Sequence, residues 1–512
     1  MDRYFYITTP IYYPSAKPHM GHAYSSIIAD FFARFKRIDG YKVHFLTGTD
    51  EHGLKIQRAA EENNVKPLQF CDEISQTFKD LSKTLNLSNT DFIRTTEQRH
   101  KKSVQHLWKE LEKNGDIYLS KYSGWYSVSD EAFYNNDEID EEEGIKIAKN
   151  SKSRVEWVDE ESFFFKLSKW EKPLLKYYKE NPDFIQPESR KNEVISFVKN
   201  GLKDLSISRK SFSWGIKVPG NNDHVIYVWL DALTNYISAL DYPNCESDLY
   251  KKFWPASVHL IGKDILRFHA IYWSAFLLAA NIKLPQKVYG HGWILSGDEK
   301  MSKSKGNILD PLDIIEKYGL DPLRYYLIKE VSFGNDGNIS HQRLEDCINS
   351  DLANNFGNLC QRTVAFAIKN CNQKIPEKIE FNAEDKEILD EYSSNLEKIR
   401  SQIDKQNVNF YIDFIINSLF SANKYFNDQE PWKKKNDQIR LNTIVYTTLE
   451  IIRKISFLLY PIIPYSALKA LKIFDLKENE IIFSTISNHN YLKFGNKINS
   501  IDILFKKIDK ND

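Results

Sequence analysis

The chain has 512 residues, 70 of them basic and 70 acidic, for a formal net charge of zero. That length calls for roughly two to four domains, and the charge balance excludes a polyelectrolyte that grips nucleic acid over its whole surface, so any such site must be a local patch. Hydrophobic residues, at 42%, suffice for packed cores. No run approaches the ~18 apolar residues of a membrane span. The start "MDRYFYITTP" carries neither a secretory nor a transit pattern. The five cysteines (Cys71, Cys245, Cys347, Cys360 and Cys371) are scattered, with no C-x-x-C pair. That usage fits a reduced, cytoplasmic protein.

"YFYITTPIYY" is aromatic and β-branched and reads as a buried strand ended by Pro10 and Pro14. After the loop "PSAKPHMGH", residues Ala23, Ile27, Ile28, Phe31, Phe32, Phe35 and Ile38 recur near helical spacing, and Gly40 stops the helix. "YKVHFLTGTDEHG" is the next strand and its loop. Strand, helix and strand at this spacing make a βαβ unit. The segment His19-Met20-Gly21-His22 therefore falls at a strand's carboxyl end and a helix start, where open α/β sheets bind ligands and helix N–H groups attract anions. Gly21 permits close backbone approach. Two histidines alone also fit a structural pair. Zinc would need further ligands, and none is arranged nearby.

The acidic run Asp137 to Glu143 lacks the glycine and spacing of a calcium loop and reads as a solvated turn. Further on, "GDEKMSKSKGN" packs Lys300, Lys303 and Lys305 among serines between glycines. Composition alone allows a solvated loop. Flexible point charges between hinges also suit closure over a polyphosphate. From about Asp351 the pattern is amphipathic and helical, with few strand signals.

The pairing of His19-Met20-Gly21-His22 with Lys300-Met301-Ser302-Lys303-Ser304 resembles the class I aminoacyl-tRNA synthetases, whose signatures are written HIGH and KMSKS. "TTPIYYPSAKPHMGHAYS", "FLTGTDEHG", "YVWLDALTNY", "HLIGKDILRFHAIYW" and "LANNFGNLCQRT" extend the resemblance, over nearly the whole chain, to the methionyl-tRNA synthetase family. It implies a Rossmann-type parallel-sheet catalytic domain split by an insertion, followed by an α-helical anticodon-binding bundle. The corresponding spans are 1–114 and 225–325 for the two catalytic halves, 115–224 for the insertion, 326–350 for a linking region and 351–512 for the bundle. Smaller nucleotidyltransferases also use HxGH loops, and a non-catalytic tRNA-binding relative is conceivable. Two intact signatures favour the synthetase.

The resemblance also implies site residues. Ile11, Tyr13, Trp229, Ala232, Leu233, Tyr236, Ile265, His269 and Trp273 would line the methionine pocket, with Asp50 meeting the ammonium. His19, Gly21, His22, Lys300 and Lys303 would handle the ATP phosphates, and Gly262 and Asp264 the ribose. Mg²⁺ would arrive with ATP. Asn358, Arg362 and Trp432 would read the anticodon, although Trp432 after Pro431 also fits a helix closure. Many relatives carry a zinc knuckle in the insertion. Here Ser127 and Asp130 stand where the first cysteine pair would, so no structural zinc is expected. The chain ends at Asp512 without the added dimerisation domain of longer relatives, which suggests a monomer. The implied partners are tRNA(Met), methionine and ATP, with no membrane.

Overall fold

The structure is a computed structural model that describes residues 2–15, 17–127, 132–134, 136–142, 144–296, 299–300 and 310–509. The described residues fall into two compact units. One draws on Tyr4–Pro18 and His44–His291, the other on Met1–Arg3, His19–Val43 and Gly292–Asp512.

The first unit is built on a parallel sheet. Its strands are β1 (Arg3–Thr8), β2 (Tyr41–Thr49), β3 (Asp91–Arg94), β4 (Ile185–Gln186), β5 (Val258–Gly262) and β6 (Val288–His291), in the order β3-β2-β1-β5-β6-β4. β1 pairs β5, β5 pairs β6, β6 pairs β4 and β2 pairs β3, each in parallel. This is the Rossmann-type sheet, and the order reverses between β1 and β5, the switch point at which such sheets bind ligands. β1 stops at Thr8, two residues before Pro10. The chain then runs on beside β2, with Tyr12 bridging Thr49. Gly48 on β2 is required by close approach, because a Cβ there would lie 2.0 Å from the Ile93 carbonyl oxygen.

The insertion is antiparallel: Ile117–Ser127 pairs with Glu156–Phe165, flanked by Leu205–Ser206 and Ala132–Tyr134. Of the acidic stretch expected to be a solvated turn, Asp137 and Glu138 lie in a 3-10 turn, and Ile139–Glu142 pairs as a hairpin strand with Ile145–Ala148, whose Ile147 and Ala148 are buried.

In the second unit, α1 (Met20–Ile38) buries all seven residues that set its periodicity. Asp39 caps it, and Gly40 leaves it at φ +82°. The helix is buried on its polar side as well. The Asp30 Oδ2 accepts from Arg34 Nε and from Arg324 Nη2, both at 2.7 Å. Arg324, itself fully buried, also donates to the carbonyls of Pro461 and Ile462. Phe31 and Phe35 meet the Tyr411 ring edge-on. The long helices Ala383–Asp404, Val408–Gln429 and Gln438–Leu459 make up the bundle, as their periodicity demands. Among the described residues, no helix is long and apolar enough to cross a membrane.

Candidate active site

In the sheet unit, the segments after β1, β2 and β5 carry Ile11, Tyr13, Asp50 and Ile265, while Trp229, Ala232, Leu233, Tyr236, His269 and Trp273 lie on helices. Trp229, Leu233, Tyr236 and Trp273 belong to one buried cluster, and Ile11, Tyr13 and Ile265 pack against it. Ala232 is buried beside Leu233 on the helix Val228–Leu233. The Trp229 ring stacks on Phe268, with centroids 3.7 Å apart and planes 16° from parallel.

His269 is fixed by two partners. Its Nδ1 lies 3.0 Å from the Ile265 carbonyl, which can only accept, so Nδ1 bears the hydrogen. Its Nε2, 2.7 Å from the Tyr236 hydroxyl, must then accept. Burial pushes this imidazole down to about 4, so it is neutral at pH 7. Burial also holds the Tyr236 phenol above its ordinary range, and Tyr12 and Asp50 raise it further. Behind Tyr236 its ring stacks on His259, whose Nδ1 meets Thr8 Oγ1 at 2.9 Å. The result is a buried, largely apolar cluster holding a neutral Tyr236–His269 pair, surroundings suited to a long, soft, uncharged side chain.

Asp50 is buried, and its N–H donates to the Tyr12 carbonyl at 2.9 Å, which joins its loop to the segment bearing Ile11 and Tyr13. The next residue anchors that loop. Glu51 accepts from Thr49 Oγ1 (2.7 Å), Ser75 Oγ (2.5 Å), Thr96 Oγ1 and both Arg94 Nε (2.6 Å) and Nη2 (3.0 Å). Gly262 ends β5 with the Asp264 carboxylate folded over it, since a Cβ on Gly262 would stand 2.7 Å from Asp264 Oδ1. Glu51, His52, His100, Asp231 and Phe268 were not singled out from the sequence. All five sit inside segments that carry the resemblance, His100 in "DFIRTTEQRHKK".

In the helical unit, His19 is the N-cap of α1. Its Nδ1 accepts from the Gly21 N–H, and the His22 Nδ1 accepts from the His19 N–H, each at 3.1 Å. Both rings therefore carry their proton on Nε2 and serve as neutral donors. Their centroids are 3.8 Å apart. Burial and the neighbouring His19 push the His22 imidazole well below its usual range. Gly21 leaves room for this fold-back, since a Cβ there would come 3.0 Å from His19 Cε1 and press on the ring. Neutral N–H donors beside a helix N-terminus are chemically suited to phosphate oxygens.

The lysine signature begins as a hairpin: Lys300 pairs with Leu295 of the strand Ile294–Ser296. Only its backbone is described, and Lys303 lies outside the described residues. Asn358 and Arg362 share one face of the helix Asn358–Asn370. Arg362 donates to Asn427 Oδ1 at 2.8 Å and lies 5.1 Å over the Phe426 ring, which meets Trp432 edge-on at 6.2 Å. Trp432 is 42% exposed, although Pro431 does open a short 3-10 turn there. Phe426 and Asn427 join this group without a signal in the sequence.

Among the described residues, no three His, Cys, Asp or Glu side chains are arranged to hold a metal. Ser127 is buried and bonds to Ser153 at 2.9 Å, and Asp130 lies outside the described residues.

Residues 5–364 match the family described as tRNA synthetases class I (M), and residues 375–512 match the anticodon binding domain of methionyl tRNA ligase. A methionine–tRNA ligase of Brucella suis is 47% identical over 94% of this chain and 94% of its own. One from Rickettsia felis is 48% identical over 99% of each. A solved structure of Mycobacterium tuberculosis methionyl-tRNA synthetase in complex with methionyl-adenylate superposes with a TM-score of 0.96, at 44% identity, covering 98% of this chain and 99% of that one.

Proposed function

The chain belongs to the class I methionyl-tRNA synthetases, and from that premise we propose that it activates methionine with ATP and charges tRNA(Met). In the first step a methionine carboxylate oxygen forms a bond to the α-phosphorus and pyrophosphate leaves, giving methionyl-adenylate. In the second, a ribose hydroxyl of the terminal tRNA adenosine attacks the methionyl carbonyl, releasing AMP. The observation that carries this reading is likeness over nearly the full length to a chain solved with methionyl-adenylate.

There is little covalent work for the protein, which aligns reactants and stabilises added negative charge. His19 and His22 donate through Nε2 to the α-phosphate as it becomes five-coordinate. Because the His22 imidazole is held low, it acts as a neutral donor through the physiological range. Lys300 and Lys303 hold the departing pyrophosphate, and Asp264 accepts from the ribose hydroxyls beside Gly262. Mg²⁺ comes with ATP on phosphate oxygens and water. Asp50 takes the methionine ammonium. The thioether enters the slot of Ile11, Tyr13, Trp229, Ala232, Leu233, Tyr236, Ile265, His269 and Trp273. Trp432 stacks on an unpaired anticodon base, and Asn358 and Arg362 read base edges. The insertion works without zinc, and the enzyme is a cytoplasmic monomer.

The test is ATP–pyrophosphate exchange with each standard amino acid, without tRNA. Exchange with methionine alone is expected. Exchange with another amino acid would overturn the specificity, and none at all would overturn the enzyme.

A further inference from the structure

We propose that Asp231 is a positioning residue that fixes the ammonium-binding loop against the side-chain pocket, and so sets how strongly the methionine ammonium is used in recognition. This rests on the functional reading above. Asp231 lies on the helix Val228–Leu233, between the pocket residues Trp229 and Ala232. Its side chain turns away from solvent and spans two other elements. Oδ2 accepts from His52 Nδ1 and Oδ1 from His100 Nε2, each at 2.7 Å. His52 is two residues beyond Asp50. His100, on the helix Gln98–Lys113, meets Ser238 Oγ at 3.0 Å through its other nitrogen. Asp231 and His100 are fully buried and His52 nearly so.

A buried carboxylate is costly unless each oxygen is satisfied, and here each has an imidazole donor. Burial alone would raise the Asp231 carboxyl. The two histidines outweigh it and bring it down to about 2, so it is ionised and both hydrogen bonds are charge-assisted. On the far side of the loop, the Trp214 ring meets His52 edge-on, and its Nε1 donates to the Glu51 carbonyl at 2.5 Å. His52 is thus held between Asp231 and Trp214, and Asp50 moves with it. Asp231 reaches the ammonium through His52 and Asp50.

The experiment compares dissociation constants, read by tryptophan fluorescence, for methioninol and for 4-(methylthio)butan-1-ol, which lacks the ammonium. Their ratio reports the ammonium contact alone. Asp231→Asn and His52→Leu should raise the ratio of the methioninol constant to the butanol constant about tenfold while leaving the butanol constant within about twofold. His52→Asn should keep the wild-type ratio, because its Nδ2 stands where the imidazole Nδ1 stood. If Asp231→Asn does not fold, the two His52 variants decide the matter. Equal weakening of both ligands, an unchanged ratio, or equal loss in His52→Asn and His52→Leu would overturn the proposal. A wild-type chain that binds no methioninol would overturn the functional reading and this inference with it.

Discussion

The neutral His269 makes a prediction about acid. An unfolded histidine takes up its proton near 6.5, whereas His269 in its apolar site holds off to about 4. Between those values the unfolded chain binds the extra proton, so protonation favours unfolding and stability falls as pH falls. The contribution is intact above 6.5 and gone below about 4. At about 1.36 kcal/mol per pH unit, the full loss is about 3.4 kcal/mol, and about 2 kcal/mol of it is spent by pH 5. His269→Gln can place its neutral amide oxygen near where Nε2 stood, as an acceptor for the Tyr236 hydroxyl, and cannot titrate. Urea unfolding followed by tryptophan fluorescence at pH 7.5 and pH 5 measures the difference. Other titrating groups contribute to both proteins and cancel, so the wild type should lose about 2 kcal/mol more than the variant. Parallel losses would refute the claim that burial keeps this imidazole neutral.

Other substitutions probe the remaining parts. His22→Ala or Lys303→Ala should cut methionine-dependent pyrophosphate exchange about 100-fold or more, and near-normal exchange by either purified variant would contradict their roles. Trp432→Ala should leave tRNA-independent exchange unchanged and lower kcat/KM for tRNA roughly 5- to 150-fold, from about 1–3 kcal/mol of lost stacking. Arg324→Met removes one partner of a buried ion pair with Asp30 and should cost about 3–5 kcal/mol of stability in the urea midpoint. Gly48→Ala drives a methyl group into the Ile93 carbonyl, and its soluble yield should collapse; normal yield would show that β2 and β3 can separate.

Much of this was legible in the sequence, and the parts that were not share a cause. The first βαβ unit follows from local periodicity, since Ala23 through Ile38 repeat with the helix and Gly40 ends it. The polar side of that helix misleads. Asp30, Arg34 and Lys36 look solvent-facing, yet they are buried because Arg324, Tyr460 and Asp404 satisfy them. Those partners lie hundreds of residues away, where no window on the sequence can see them. His52, His100 and Asp231 escaped for the same reason, their separations being 179 and 131 residues. Individually they are polar residues in segments already assigned to strand, helix or pocket. Arg362 and Trp432 were visible through their motifs, whereas Phe426 and Asn427, which orient them, stand in an ordinary helical stretch.

The cluster around Asp30 also bears on how the protein is made. On the ribosome, α1 emerges early, and Arg324 follows 294 residues behind Asp30. At roughly 5–20 residues per second, that gap lasts about 15–60 s. For that interval the nascent helix exposes a face destined to be wholly buried, phenylalanines included, and an acid that has no distant arginine to meet. The Asp30–Arg34 bond, one helical turn long, needs no partner from later in the chain. It balances the charge within the helix while synthesis proceeds, and the phenylalanine face is what a chaperone would be expected to hold until the C-terminal helices arrive.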